Sequence, residues 1–141
     1  MNRIALFTVL AVTAGSCPGT TEPTGPLPVG TWGGENAGVI VSDTSLHAHV
    51  GCTYGNAPRP SLSDGRFDVA GLYNITAHPV DAGVFHPAVF RGQVSGVTLT
   101  LTVALTDTDV TLGPVLVQLG REPKMGPCPI CRPGSAPRSM K

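Results

Sequence analysis

The chain is 141 residues long, the length of one domain, and 13% of its residues are charged while 41% are hydrophobic. It is too apolar for a wholly disordered protein and too poor in helix-forming residues for a coiled coil or helical bundle. Nine basic residues balance nine acidic ones, so no overall positive field favours a nucleic-acid partner. Composition therefore predicts a small β-rich protein and indicates no particular activity.

Residues 1–16 have the pattern of a secretory signal peptide. Arg3 supplies a positive start, and residues 4–15 form an uncharged apolar stretch shorter than the ~20 residues of a membrane-spanning helix. Four prolines between residues 18 and 28 argue against a buried first helix or strand, because proline lacks the backbone N–H that both use. We therefore expect the chain to be exported and residues 1–16 to be removed.

The small residues before Cys17 resemble a bacterial lipobox, in which the cysteine is lipidated and becomes the mature N-terminus. The large aliphatic residue usual three positions before that cysteine is here Ala14, so ordinary cleavage beside residues 14–16 is the alternative. With a lipid on Cys17, the membrane would be a partner of the N-terminus. Residues 17–28, rich in Pro, Thr and Gly, would then form a tether.

Beyond residue 28, apolar residues recur at every second position, which is the period of a β-strand. In residues 97–106 every odd position is Val or Leu and every even position is Thr or Ala. Such alternation buries one face of a sheet and leaves the other in water. Turn sequences separate the apolar runs, among them Asp64-Gly65 and Ser95-Gly96.

Seven or eight strands fit between Gly30 and Gly120, at the spacing expected for a sandwich or barrel. Successive hairpins in so short a span favour an antiparallel up-and-down meander, closed or nearly so. We therefore predict an all-β domain over residues 29–120. Residues 121–141, basic and rich in proline, are expected to form a disordered tail. Attachment of this tail to an anionic surface is the alternative to a tail without a role.

Four segments together carry a family resemblance: GTWGG (30–34), DGRFDVAG (64–71), HPA (86–88) and LTLTV (99–103). They resemble a family of small bacterial secreted or lipoprotein β-domains without an established activity. The resemblance implies a cysteine in the third strand, which Cys52 matches, whereas the Cys-Pro-Ile-Cys tail departs from the family. Separately, the Gly-x-Trp sequence at 30–32 is similar to the start of lipocalin-like and avidin-like barrels. That similarity implies that Trp32 closes one end of a barrel.

Cys128 and Cys131 have the spacing of a redox pair or of half a zinc site. A redox pair needs a helix N-terminus, and a zinc site needs two further ligands at a matching spacing; the sequence offers neither. In an oxidising compartment we expect a disulfide, either between Cys128 and Cys131 or from this pair to Cys52. If Cys17 carries a lipid, one thiol is left over, and buried Cys52 is the expected one.

His47 and His49 stand two residues apart on one predicted strand, so both imidazoles point to the same side, about 7 Å apart. A metal ion could bridge them if His78 or His86 came close. The alternative is a pair of polar residues on the solvent face of the strand. No nucleophile constellation or phosphate-binding loop stands out in the sequence.

The sequence therefore predicts an exported bacterial binding protein of the cell envelope, with no cofactor, rather than an enzyme. Trp32 at the barrel mouth is the candidate contact for a small apolar ligand, and an exposed strand face could instead bind another envelope component. One alternative is a metal-dependent or hydrolytic enzyme that uses His47 and His49 with a nearby Asp. The other is a purely structural surface protein, which a lack of pockets would favour.

Overall fold

The computed structural model describes residue 19 and residues 21–76 and 83–128. The predicted signal peptide and Cys17 lie outside these residues. Among the described residues there is no helix, and hence none long and apolar enough to cross a membrane. The strands in chain order are β1 (Gly25–Pro26), β2 (Gly30–Gly34), β3 (Ala37–Val41), β4 (Ser45–Val50), β5 (Thr53–Pro58), β6 (Ser61–Leu62), β7 (Arg66–Asn74), β8 (Phe85–Ser95), β9 (Thr98–Leu105) and β10 (Thr111–Leu119).

Eight of these strands close into an antiparallel barrel, in the order β10-β2-β3-β4-β5-β7-β8-β9. The barrel closes because β10 pairs with β9 on one side and with β2 on the other, so each of its eight strands has a neighbour on both sides. The two short strands β1 and β6 pair with each other in a separate ribbon. The predicted all-β class and the closed up-and-down meander are confirmed.

Two of the predicted hairpin turns have the backbone geometry that their sequences favour. Asp64 and Gly65 both have positive φ angles, 49° and 73°, and join β6 to β7. Such angles match the right-handed twist of the flanking strands in a two-residue turn. Gly96, at φ 59°, begins the equally short turn between β8 and β9.

Side chains fill the interior of the barrel. On β9, Leu99, Leu101 and Val103 are fully buried while the residues between them are half-buried, which is the alternation that the sequence predicts. The largest fully buried side chains inside the protein are Trp32, Tyr73, Phe90, Leu27, Leu46, Leu99 and Leu101.

Inward-facing glycines make room for the aromatic rings. At three strand glycines, an added Cβ would collide with a ring on a neighbouring strand. Glycine in a strand interior commonly marks such a close approach. Each ring thereby occupies the volume that a side chain at the glycine position would fill. A narrow barrel can therefore hold several large rings. The pairs are Gly55 with Tyr73, Gly71 with Phe90, and Gly92 with Phe67.

The folded unit begins earlier than residue 29. Residues Gly25–Pro26 form β1 inside the predicted tether, and Leu27 is fully buried. The Leu27 carbonyl oxygen accepts a hydrogen bond from Arg59 Nε at 2.8 Å. The tether prediction for residues 17–28 is corrected at its end, because this apolar anchor and these hydrogen bonds hold residues 25–28 to the barrel.

The folded unit also continues past residue 120. Pro123 packs over the backbone of Gly38, which has no side chain. Lys124 forms a parallel backbone β-bridge with Glu35, next to β2. Cys128 is joined to Cys52 by a disulfide. The prediction of a disordered tail from residue 121 is therefore corrected for residues 121–128, while residues 129–141 lie outside the described residues.

Candidate functional site

Trp32 belongs to the core. Its side chain is fully buried on β2, and its Nε1–H donates to the Pro28 carbonyl oxygen at 3.2 Å. A ligand could touch this ring only by displacing core side chains. The structure therefore gives no support to a small-ligand site at Trp32.

The outer surface of β3, β4, β5, β7 and β8 carries an uncharged apolar and aromatic region that contains both predicted histidines. Strand register places Ile40, His47, Asn56 and Leu72 in one row across the sheet, and His49, Tyr54 and Phe85 in the next. Ile40 is 53% exposed and Leu72 is 51% exposed. We call this surface the histidine face, defined by Ile40, His47, His49, Tyr54, Asn56, Leu72 and Phe85.

The segment after β10 extends the histidine face. Pro123 and Met125 join Gly38, Ile40 and His49 around a pocket of about 130 Å³. Met125 is 41% exposed. The pocket exists because glycine at position 38 has no side chain, so Pro123 can approach the strand closely.

The two histidines touch each other. Their Nε2 atoms lie 2.9 Å apart, and their ring centroids are 4.7 Å apart with an angle of 74° between the ring planes. The rings are thus closer than the strand repeat of about 7 Å, because they turn toward each other. Tyr54 lies beside both rings, at centroid distances of 5.9 and 5.7 Å, and Phe85 meets Tyr54 edge to face at 5.7 Å.

Hydrogen bonding sets the tautomers of this pair. Asn56 Oδ1 lies 2.6 Å from His47 Nδ1, and an amide oxygen can only accept, so Nδ1 of His47 carries the hydrogen. The Nε2 atom of His47 then has a lone pair and accepts from Nε2–H of His49. Burial lowers the pKa of His49, and the nearby His47 lowers it further. Both effects favour the neutral form of His49 over the charged form.

The other predicted metal ligands do not join the pair. Nδ1 of His86 lies 2.8 Å from Asp107 Oδ2, in a contact separate from the histidine face, and His78 is outside the described residues. Within residues 21–76 and 83–128, no three His, Cys, Asp or Glu side chains are grouped so that they could hold a metal ion. The predicted site is thus two imidazoles, without the nearby Asp that the enzyme alternative needs.

The disulfide takes the second of the two predicted pairings. Cys128 is bonded to Cys52, with 5.4 Å between their Cα atoms, and not to Cys131, which lies outside the described residues. The expectation that Cys52 is the left-over thiol is therefore corrected. Because Cys52 sits in the turn between β4 and β5, the bond ties the segment after β10 to the end of the hairpin that carries His47 and His49.

A second surface feature is an open groove of about 460 Å³ over β7, β8 and β9. Its polar side chains include Arg66, Gln93 and an ion pair between Arg91 Nε and Asp68 Oδ1 at 3.4 Å. Both members of that pair are more than half exposed, so their interaction is weak. No fully buried polar side chain lines the groove, and it is the weaker candidate.

Comparisons with protein-family models, with curated proteins and with solved structures find no match to this chain. The resemblance to secreted or lipoprotein β-domains and to lipocalin-like and avidin-like barrels therefore stays a prediction.

Sequence reasoning identified the two histidines and missed the residues that orient them. Asn56 and Tyr54 come from the next strand, and only the hairpin register places them beside His47 and His49. The run His47-x-His49 followed by a Gly51-Cys52 turn was the available signal, since a tight turn at residues 51–52 pairs position 47 with 56 and 49 with 54. Phe85 and Met125 are too distant in sequence for such counting.

Proposed function

We propose that this chain is an exported protein of a bacterial cell envelope that binds another envelope protein through the histidine face. The observation that carries the proposal is the composition of that face. Ile40, Leu72 and Phe85 are exposed, the Tyr54 and histidine rings between them are half-buried, and none of the seven defining residues has an acidic or a lysine or arginine side chain. The centres of protein interfaces are depleted in charge and enriched in aromatic residues, and apolar surface rimmed by polar residues marks interaction sites.

The filled interior supports an external mode of binding. Up-and-down barrels that carry small ligands hold them inside, whereas here Trp32, Tyr73 and Phe90 occupy the interior. Binding of a partner would therefore use the outer surface of the barrel. A docked protein would cover the half-exposed Ile40 and Leu72 side chains, and the free energy of burying them favours association.

The disulfide supports export. Bonds such as Cys52–Cys128 form and persist outside the reducing cytoplasm. The signal pattern of residues 1–16 points to the same compartment. A lipid on Cys17 would place the barrel near a membrane surface, because the seven residues from 18 to 24 span at most about 25 Å when extended.

Fractionation of a bacterial host that expresses the full chain tests the predicted export and lipid attachment. We expect the wild-type protein in the membrane fraction with a mature N-terminus at Cys17, and the Cys17→Ser variant in the soluble fraction outside the cytoplasm. Soluble wild-type protein outside the cytoplasm would contradict the lipid on Cys17 and would still support export. Wild-type protein that stays in the cytoplasm with residues 1–16 attached would overturn the whole proposal.

Site-specific photo-crosslinking in the native host tests the binding face. A crosslinker at position 40 or 72 should capture the same protein partner, while one at Val97, which is 60% exposed but outside the histidine face, should not. Purified partner should then bind the Leu72→Glu variant at least tenfold more weakly than the Val97→Glu variant. Equal capture at positions 72 and 97, or capture of only a second copy of this chain, would contradict a separate partner.

A further inference from the structure

We infer that His47 and His49 form a chelating site for a divalent transition-metal ion, and that the site binds Cu²⁺ more tightly than Zn²⁺. The inference concerns the isolated protein and does not depend on a partner at the histidine face. It rests on the distance between two nitrogen atoms, on the residue that orients one of them and on the strand that holds both.

The nitrogen separation selects a coordination geometry. Two imidazole nitrogens bound about 2.0–2.1 Å from one ion lie about 2.8–3.0 Å apart at a 90° angle and about 3.3–3.4 Å apart at the tetrahedral angle. The Nε2 atoms of His47 and His49 are 2.9 Å apart. This distance is set by the hydrogen bond between the rings and is also compatible with neighbouring corners of a tetragonal site. Imidazole ligands in general bind Cu²⁺ more tightly than Zn²⁺, and a tetragonal arrangement adds to that preference.

Asn56 prepares His47 for coordination. Its Oδ1 accepts the Nδ1 hydrogen of His47, which leaves the Nε2 lone pair available toward His49. Ligand histidines are commonly fixed in this way through their second ring nitrogen. Metal binding would move the hydrogen of His49 from Nε2 to Nδ1 and replace the hydrogen bond between the rings. Because this hydrogen moves within the His49 ring, the step neither releases nor takes up a proton.

The strand environment favours binding before any partner arrives. β4 is paired on both sides, with β3 and with β5, so the two side chains project from a fixed backbone. The protein supplies two ligands, and water fills the remaining positions of the ion.

Calorimetric titration of the untagged mature chain with CuCl₂ and, separately, with ZnCl₂ tests the inference. The Cys17→Ser/Cys131→Ser background, in which the Cys52–Cys128 bond is retained, removes the two thiols that would compete for copper. We expect one Cu²⁺ per chain, bound at least tenfold more tightly than Zn²⁺. The electron paramagnetic resonance spectrum of the bound Cu²⁺ should show hyperfine coupling to two imidazole nitrogens.

Variants distinguish this site from other copper ligands. His47→Gln and His49→Gln should each weaken Cu²⁺ binding at least tenfold, Asn56→Ala should weaken it less, and the control His86→Gln should leave it unchanged. Circular dichroism and thermal unfolding check that each variant is folded. Copper binding that survives both substitutions, as at the N-terminal amine, would overturn the inference, and so would the absence of binding by folded wild-type protein.

Discussion

The ring of Phe67 on β7 lies over Gly92, its direct partner on β8. A Cβ atom at position 92 would overlap the ring, and it would also lie 2.9 Å from a methyl carbon of Leu99. Glycine is therefore required here by the close approach of a neighbouring side chain. Gly55 beneath Tyr73 and Gly71 beneath Phe90 repeat the arrangement.

We expect the Gly92→Ala substitution to lower the free energy of unfolding by about 1–3 kcal/mol, because the added methyl group must displace Phe67 in a filled interior. Chemical denaturation followed by circular dichroism measures the change. The control is Gln93→Ala, since the neighbouring Gln93 points outward into the groove and its truncation should change stability by about 0.5 kcal/mol or less. Equal stability of the two variants would contradict the close packing of Phe67 against Gly92.

Replacing Trp32 with alanine should lower the free energy of unfolding by about 3–5 kcal/mol, because the fully buried ring leaves a cavity. The Trp32→Phe variant keeps much of the apolar volume and loses the hydrogen bond to Pro28, so it should be affected less. The midpoint of thermal unfolding separates the two variants from wild type. An unchanged midpoint for Trp32→Ala would place the ring on the surface.

The barrel could be predicted because its signals are local. The alternation in residues 97–106 specifies which side of β9 is buried, and Asp64-Gly65 specifies where a hairpin turns. Each depends on a few consecutive residues. Closure of β10 onto β2 was expected from the short hairpins and not from any residue pair, since Leu119 and Trp32 are far apart in sequence.

The candidate site could be predicted only in part, because its components come from separate strands. The period of two placed His47 and His49 on one side of β4, but the contact between their rings depends on side-chain torsion angles and on Asn56. The packing of Pro123 on Gly38 was missed because proline and charge in residues 121–141 indicated disorder. Contacts with the barrel override that composition as far as residue 128.

Reduction of the disulfide should destabilise the protein. The Cys52–Cys128 bond closes a loop with a sequence separation of 76 residues, for which chain entropy alone corresponds to about 4 kcal/mol. We expect a loss of about 2–4 kcal/mol in the Cys128→Ser variant, because the segment after β10 can detach before the barrel unfolds. Denaturant unfolding of this variant and of the control Cys131→Ser measures the loss.

Peptide mapping without reductant checks the pairing directly. A tryptic peptide that contains Cys52 should be linked to the peptide of residues 125–138, because trypsin does not cleave between Arg132 and Pro133. The link should persist in Cys131→Ser and disappear in the Cys128→Ser/Cys131→Ser double variant. A link that instead disappears in Cys131→Ser, or a bond within residues 125–138 alone, would contradict the Cys52–Cys128 bond.

The hydroxyl group of Tyr73 should contribute to stability through a closed set of hydrogen bonds. It accepts from the Val50 N–H at 3.2 Å and lies 3.0 Å from Thr53 Oγ1, whose own hydrogen is donated to the Val50 carbonyl oxygen at 2.7 Å. Tyr73→Phe leaves these groups partly unsatisfied, so we expect a loss of about 1–3 kcal/mol in denaturant unfolding. The Tyr73→Phe/Thr53→Val double variant tests whether the two hydroxyls interact. If its loss of stability equals the sum of the losses in the two single variants, the hydroxyls do not interact.

Acid should destabilise the protein through His49. Because burial and His47 lower the pKa of His49 from its ordinary value of 6.5, the unfolded chain takes up a proton first as the pH falls. Stability associated with neutral His49 is thus present above pH 6.5 and is lost as the pH falls toward the lowered pKa. Urea midpoints measured between pH 7.5 and pH 5 should fall less steeply for His49→Gln than for wild type. The control variant Thr102→Ala, at an outward-facing position without a titratable group, should show the same change of urea midpoint with pH as wild type. If the urea midpoint of His49→Gln falls as steeply as that of wild type, the acid sensitivity belongs to other residues.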